Sequence, residues 1–261
     1  MSEDRDYYFL ARAIDAAHLS DEAVVRRLKD SAMPVWRKLH DEGALVNVRT
    51  FRKVGVVGLG SDNNLERTWR LFSIAEIGEG CDAEAVAESE IDALKDMGLY
   101  DDADIDILCT ELLMRRAGAG VAVPRPSKLY DRMPSNFTTA IEYIYKRPGC
   151  EEAYSAFMRD IFGPVGCAMV ECGHAYSVTI TDRVKVYNKD ISIPDWNDIH
   201  ILVGDFDDPQ NGFTSKAGQT ISKVLGFETD AASALEPAEK MRHKVLMSKN
   251  IEIAELCLGA I

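Results

Sequence analysis

Two stretches of this chain share a pattern and a place: "FRKVGVV" at 51–57 and "TDRVKVY" at 181–187 pair Val54 with Val184 and Val56 with Val186. A tryptophan follows each, Trp69 after the first and Trp196 after the second. A repeat on this scale constrains the fold more than composition does, because each copy must be one supersecondary unit that buries its apolar face against the other.

The segments around the two stretches follow one order. "DYYFLARAI" (6–14) is short and aromatic, as a strand is. The segment from Ser20 to Gly43 places Ala23, Val24, Leu28, Ala32, Val35, Trp36 and Leu39 at helical spacing, with Ser20 as cap and Pro34 expected to kink or divide the helix. "ALVNVRTFRKVGVV" alternates as a half-buried strand, "TWRLFSIAEIG" is a strand, "DAEAVAESEIDALKDMG" a helix and "ADIDILCTELLMRR" a strand. The order strand, helix, strand, strand, helix, strand is the split βαβ, or ferredoxin-like, plan.

Residues 117–135, rich in proline and glycine, read as a linker. The order then restarts with "FTTAIEYIYKRPG" (strand), "CEEAYSAFMRDIFGPVGCAMVECG" (helix with an interrupted end), "HAYSVTITDRVKVY" (strand), "WNDIHILVGDF" (strand), "SKAGQTISKVLG" (helix) and "NIEIAELCLGAI" as the last strand. "DIDILCTEL" against "NIEIAELCL" supplies a third match. The expected organisation is a first ferredoxin-like unit at 1–116, a linker at 117–135 and a second unit at 136–261.

That organisation decides the reading of "KVGVVGLGSDNN" at 53–64. A dinucleotide-binding turn needs a third glycine where the helix packs on the strand, but Asn63 stands there, and the second copy carries Asn188, Lys189 and Pro194 in place of glycines. A connection between antiparallel strands accounts for both copies, with the glycines of the first as a flexible bend.

Two tandem units with "WRKLHDEGALVNVRTFRK" crossing from helix to strand and "YIYKRPGCEEAYSAFM" opening the second resemble the dimeric α/β-barrel superfamily. The resemblance implies an α+β fold in which two antiparallel sheets pack into a pseudo-dimeric barrel with helices outside. It also implies an apolar or aromatic small molecule in the barrel, handled by acid/base chemistry as in cyclases, isomerases or cofactor-independent monooxygenases. Fused members of the chlorite dismutase-like group bind haem, so a haem protein is the alternative. The third reading is a non-catalytic ligand-binding or assembly subunit whose barrel is filled by side chains.

Candidate site residues concentrate in the second unit. His200 is the expected acid/base group, with His174, Tyr143 and Asp198 in support, because imidazole titrates near neutrality and a carboxylate or phenol can orient it. Tyr145, Tyr176, Arg49, Arg52, Trp69 and Trp196 are the expected substrate-binding set, with Ser73 and Glu76 as further inward candidates in the first unit. An inward arginine suits a carboxylate or enolate. Alternation along "DIHILV" separates His200 and Leu202 from Ile199, Ile201 and Val203 without saying which face looks inward.

The remaining classes are excluded on chemistry. A formal charge of −13, with no long run of lysine and arginine, repels a phosphate backbone, so no nucleic-acid partner is expected. No apolar run is long enough to span a membrane, and the charged start "MSEDRDYYFLARAID" is unlike a signal peptide, so a cytoplasmic protein with reduced cysteines is expected. Cys167, Cys172 and His174 lack the tight spacing of structural zinc, so no metal is expected, and the base expectation is no cofactor. The expected partner is a small-molecule substrate, with assembly into a homo-oligomer left open.

Overall fold

The structure, a computed structural model, describes residues 7–16, 19–56, 69–99, 108–116, 135–188, 196–208, 210, 212–226 and 228–259. The glycine bend after Val56 and the 117–134 stretch of the linker lie outside the described residues.

Eight strands close into one antiparallel barrel. They are β1 (Tyr8–Asp15), β2 (Leu45–Val56), β3 (Leu71–Ile77), β4 (Leu108–Arg116), β5 (Thr138–Lys146), β6 (Ala175–Asn188), β7 (Asp198–Gly204) and β8 (Arg242–Glu252). Around the ring the order is β1-β3-β2-β8-β5-β7-β6-β4, and β4 closes on β1. β1 to β4 therefore occupy one arc and β5 to β8 the other, each in the same relative order. The arcs meet at two seams, β2 on β8 and β4 on β6, and both seams carry register shifts.

Among the described residues six α-helices pack outside: α1 (Asp21–Asp41), α2 (Ala83–Asp96), α3 (Glu151–Phe157), α4 (Gly163–Glu171), α5 (Phe213–Leu225) and α6 (Ala231–Met241). α1 starts where the Ser20 side chain accepts from the Ala23 amide, and it buries Val24, Leu28, Ala32, Val35, Trp36 and Leu39 as the spacing predicts. Pro34 does not divide it. Its ring is on the solvent face, where water can take the carbonyl it leaves unbonded, while buried Met33, Val35 and Trp36 hold the helix on the sheet. Gly43, at φ 75°, ends the turn that follows. A π-helical turn, Met158–Phe162, joins α3 to α4 and accounts for the interruption legible in the sequence.

One expected element is displaced. The last strand is Arg242–Glu252, and the segment read as that strand mostly follows it, forming a 3-10 turn at Ala254–Leu256 and a bridge from Leu258 to Val48. Leu256 is buried under α1, and the Thr50 hydroxyl donates to its carbonyl at 3.0 Å. The third sequence match therefore pairs the wrong residues, because the strand that occupies the place of β4 in the second arc is β8.

Three apolar clusters divide the interior. One lies between α1, α2 and the outer face of the first arc, and one between α3 to α6 and the outer face of the second. The third fills the barrel itself: Ala11, Ala13, Phe51, Trp69, Phe72, Ile74, Leu112, Met114, Ile141, Tyr143, Trp196, Ile199 and Ile201. An eight-stranded barrel is just wide enough for side chains to do this.

Candidate functional site at the barrel mouth

Strand alternation now assigns faces. Phe51 pairs with Phe72 in the lumen cluster, so Arg49, opposite Ile74, and Asn47, opposite Glu76, share the lumen face. Arg52, opposite Leu71, and Thr50, opposite Ser73, lie on the outer face. Of the first-unit candidates, Arg49 and Glu76 are thus inward and Arg52 and Ser73 are not.

The two ends of the lumen differ. At one end a floor is built from Trp69, just before β3, and Trp196, just before β7, with Tyr143 between them. Ring centroids are 4.2 Å apart for both Trp69–Tyr143 and Trp69–Trp196, and 4.6 Å for Tyr143–Trp196. The Trp69 indole N–H donates to the Tyr143 hydroxyl at 2.9 Å. Burial pushes the Tyr143 phenol well above its usual range, so it stays a neutral hydroxyl. Tyr145 lies against the same cluster, half-buried.

At the opposite end the inward side chains are polar and half-buried. Asn47 Nδ2 donates to Glu76 Oε2 at 2.5 Å, and Arg49 Nε donates to Glu252 Oε1 at 2.7 Å. The Arg49 guanidinium also lies over the Phe51 ring at 5.1 Å. Its terminal nitrogens have no hydrogen-bond partner among the described residues. Below this rim, Asn250 donates to Ser248 Oγ at 2.8 Å, and Ser248 in turn hydrogen-bonds to Tyr143, so a polar line descends one wall to the floor. Glu252, Asn250 and Ser248 alternate along β8. The segment expected as the last strand begins at Asn250, so it holds Asn250 and Glu252 without Ser248, although "MSKNIE" carries the alternation that joins all three.

The second-unit acid/base candidates face the other way. His200 pairs across β5 with Glu142, and both lie on the outer face, opposite to Tyr143. His200 is 0 % exposed, its Nδ1 is 3.0 Å from Glu142 Oε2, and its ring centroid is 6.4 Å from that of Phe162. Arg242 Nη1 is 3.8 Å from the same carboxylate and donates to the Tyr154 hydroxyl at 3.2 Å. Asp198, also outward, joins a second cluster: Lys146 Nζ is 3.1 Å from it and hydrogen-bonds to Asp182. Burial first, then the hydrogen bond to Asp182, raises Asp198 well above the carboxylate range, whereas its bonds to Asp198 and Lys146 outweigh burial and lower Asp182. The structure therefore does not bring Tyr143 together with His200 and Asp198: the sheet stands between Tyr143 on the lumen face and the other two on the outer face. His174 follows α4, where its amide bonds to the Met169 carbonyl at 2.8 Å, and burial and Lys216 lower its imidazole. Tyr176 is buried beside a bulge at the start of β6.

These positions bear on haem. An axial histidine needs a flat slot beside it, but the ring of His200 is closed in by Glu142, Phe162 and the apolar layer under α3 to α6. His174 sits at a helix end outside the lumen. Neither of these two histidines offers the group an axial position in the lumen. Among the described residues no cluster of three potential metal ligands occurs, and no helix is long and apolar enough to cross a membrane.

No protein-family model and no curated protein sequence matches the chain. Solved structures do match. An anthrone oxidase-like protein superposes with a TM-score of 0.51 at 9 % identity over 99 % of this chain and 98 % of its own. The chain has the dimeric α/β-barrel fold. A mutant chlorite dismutase from Candidatus Nitrospira defluvii aligns over 96 % of this chain and 93 % of its own at 12 % identity, with a TM-score of 0.46. At these identities the likeness extends to the α/β barrel and no further.

Proposed function

We propose that this α/β barrel takes up an apolar or aromatic small molecule at the lumen mouth and acts on it by proton transfer, with no bound cofactor. The observation that carries the reading is Arg49: a guanidinium on the lumen wall, oriented by Glu252 through Nε, with its terminal nitrogens left for a ligand. A planar fork of that kind suits an enolate, phenolate or carboxylate oxygen. Glu76 lies on the same wall, one lumen-facing position along from Ile74, and Asn47 holds one of its oxygens. In this reading the Glu76 carboxylate takes a proton from an acidic C–H of the ligand while Arg49 binds the oxyanion that forms. Phe9, Ile74 and Ile201 offer the apolar wall.

The finer form, an oxygenation rather than a cyclisation or isomerisation, draws only on the name of the anthrone oxidase-like neighbour. A tandem duplication of a ferredoxin-like unit accounts for the equal strand order of the two arcs and for the paired tryptophans of the floor.

The test is proton exchange in D2O, followed by NMR, on a panel of 1,3-dicarbonyl and hydroxyaromatic compounds. The wild-type chain accelerates exchange of the acidic C–H, and Glu76→Gln lowers the acceleration by about 10²-fold or more, the usual contribution of a positioned base. Exchange that survives both Glu76→Gln and Arg49→Gln overturns the site.

A second reading, a binding subunit without turnover, is favoured by the side-chain cluster that fills the barrel from Ile74 down to the aromatic floor. It predicts binding that depends on Arg49 with no acceleration of exchange.

A further inference from the structure

A groove of about 430 Å³ runs outside the barrel, between the first turns of α1 and the chain after β8. It falls within the size range of small-molecule sites. α1 contributes Asp21, Glu22, Val25, Arg26 and Lys29, β2 contributes Arg52, and Glu252, Ile253 and Glu255 complete the wall.

The charges facing it number four carboxylates and three cations, yet most are matched within the fold. Asp21 accepts from Arg70 at 3.2 Å, Glu252 accepts from Arg49 at 2.7 Å, and Glu255 accepts from Lys29 at 2.8 Å. Glu22 is held in its charged form by backbone and Ser20 hydrogen bonds at the helix start, with a smaller attraction from Arg52. That leaves two guanidinium groups. Arg26 and Arg52 have no hydrogen-bond or ion-pair partner among the described residues, and they reach the groove from different elements, a helix and a strand.

We propose that this groove binds an organic oxyanion, a phosphate- or carboxylate-bearing small molecule, clamped between Arg26 and Arg52 with its carbon body against Val25 and Ile253. The planar donor fork of arginine matches either oxyanion with two parallel hydrogen bonds. The groove exceeds a bare inorganic anion, and its two apolar side chains call for an attached hydrocarbon or ring. Arg26 and Arg52 reach the groove from α1 and from the outer face of β2, whereas Arg49 lies on the inner face; Glu252, which holds Arg49, is the one residue that lines both places.

Phenyl phosphate and phthalate are the probes, each titrated at low ionic strength by calorimetry and thermal shift, with sodium chloride at matched ionic strength as the blank. At least one of them binds the wild-type chain and raises its melting temperature, and which one does distinguishes the phosphate from the carboxylate source. The double variant Arg26→Gln/Arg52→Gln, whose side chains have no hydrogen-bond or ion-pair partner among the described residues, keeps the ligand-free melting temperature and binds about tenfold more weakly or worse. Glu76→Gln, at the lumen mouth and outside the groove lining, leaves this binding unchanged. Failure of both probes to bind, binding that persists in the double variant, or binding that is lost in Glu76→Gln overturns the proposal.

Discussion

The Trp69 indole nitrogen and the Tyr143 hydroxyl are 2.9 Å apart, and they come from opposite arcs of the barrel. Both side chains are buried in an apolar floor, so neither polar atom has water as an alternative partner. Tyr143→Phe keeps the ring and strands the indole N–H. The expected loss is about 1–3 kcal/mol in urea unfolding. Unchanged stability would show that the indole finds another acceptor.

Asp198 and Asp182 respond to the same substitution in opposite ways. Asp198 has a raised pKa, so the folded chain holds a proton that the unfolded chain releases, and stability falls as pH rises through the window above the unfolded carboxylate range. Asp198→Asn removes that dependence and is not destabilising at pH 7. Asp182 has a lowered pKa, so its contribution is present above the unfolded range and lost as pH falls. Asp182→Asn destabilises at pH 7, because Lys146 keeps only the reluctant Asp198 as counter-charge. Urea midpoints at pH 5 and pH 7.5 read both effects, and equal behaviour of the two variants would refute the assignment.

On the outer face of the first arc, Arg12 Nη2 is 3.1 Å from Glu90 Oε2, and Trp36 donates to the same carboxylate at 2.5 Å. Both charged side chains are at most 1 % exposed. Glu90→Leu alone leaves a buried guanidinium and costs about 3–5 kcal/mol, whereas Arg12→Met with Glu90→Leu recovers much of it. A double-mutant cycle measured by denaturation gives the coupling, and additive losses would mean that the pair is not coupled.

Two neighbouring glycines separate crowding from backbone strain. A Cβ on Gly78 would stand 2.1 Å from the Gly43 carbonyl oxygen, so Gly78→Ala forces the two turns apart and costs at least the upper end of the about 1–3 kcal/mol typical of overpacking. Gly43 has φ 75° and open space around its Cβ position, so Gly43→Ala costs about 1–2 kcal/mol from the left-handed backbone alone. Thermal melts of the two variants rank them, and the reverse order would contradict the packing.

His200→Ala tests the outward histidine. It leaves Glu142 with one partner fewer and a void under α4, so stability falls by about 2–4 kcal/mol, while exchange at the lumen mouth proceeds at the wild-type rate in the folded fraction. A specific loss of exchange with stability intact would restore His200 to an acid/base role.

Much of the fold was legible because its signals are local. The Ser20 cap, the α1 stripe and the alternation of "ALVNVRTFRK" depend on neighbours within a few residues, and each element falls close to its expected place. What escaped was non-local. β8 begins at Arg242, ahead of the segment expected as the last strand, and its place between β2 and β5 is set by pairing with two strands rather than by its own composition. Faces escaped for a similar reason: alternation divides Ile199, His200 and Ile201 into two sets, and only the helices that cover one set decide that His200 looks away from the lumen. Arg49 and Glu76 stood among the inward candidates beside Arg52 and Ser73, which face outward, and Glu252, the partner of Arg49, was not among them.

The seam between β2 and β8 has a cost in time. Phe51 pairs with Glu252 across most of the length of the chain, and until that pairing forms both strands present open backbone edges. Contacts so distant in sequence slow folding. The ring that leaves the finished protein without an exposed edge makes its last-closing strands the most vulnerable to association with other unfolded copies while the chain is still incomplete.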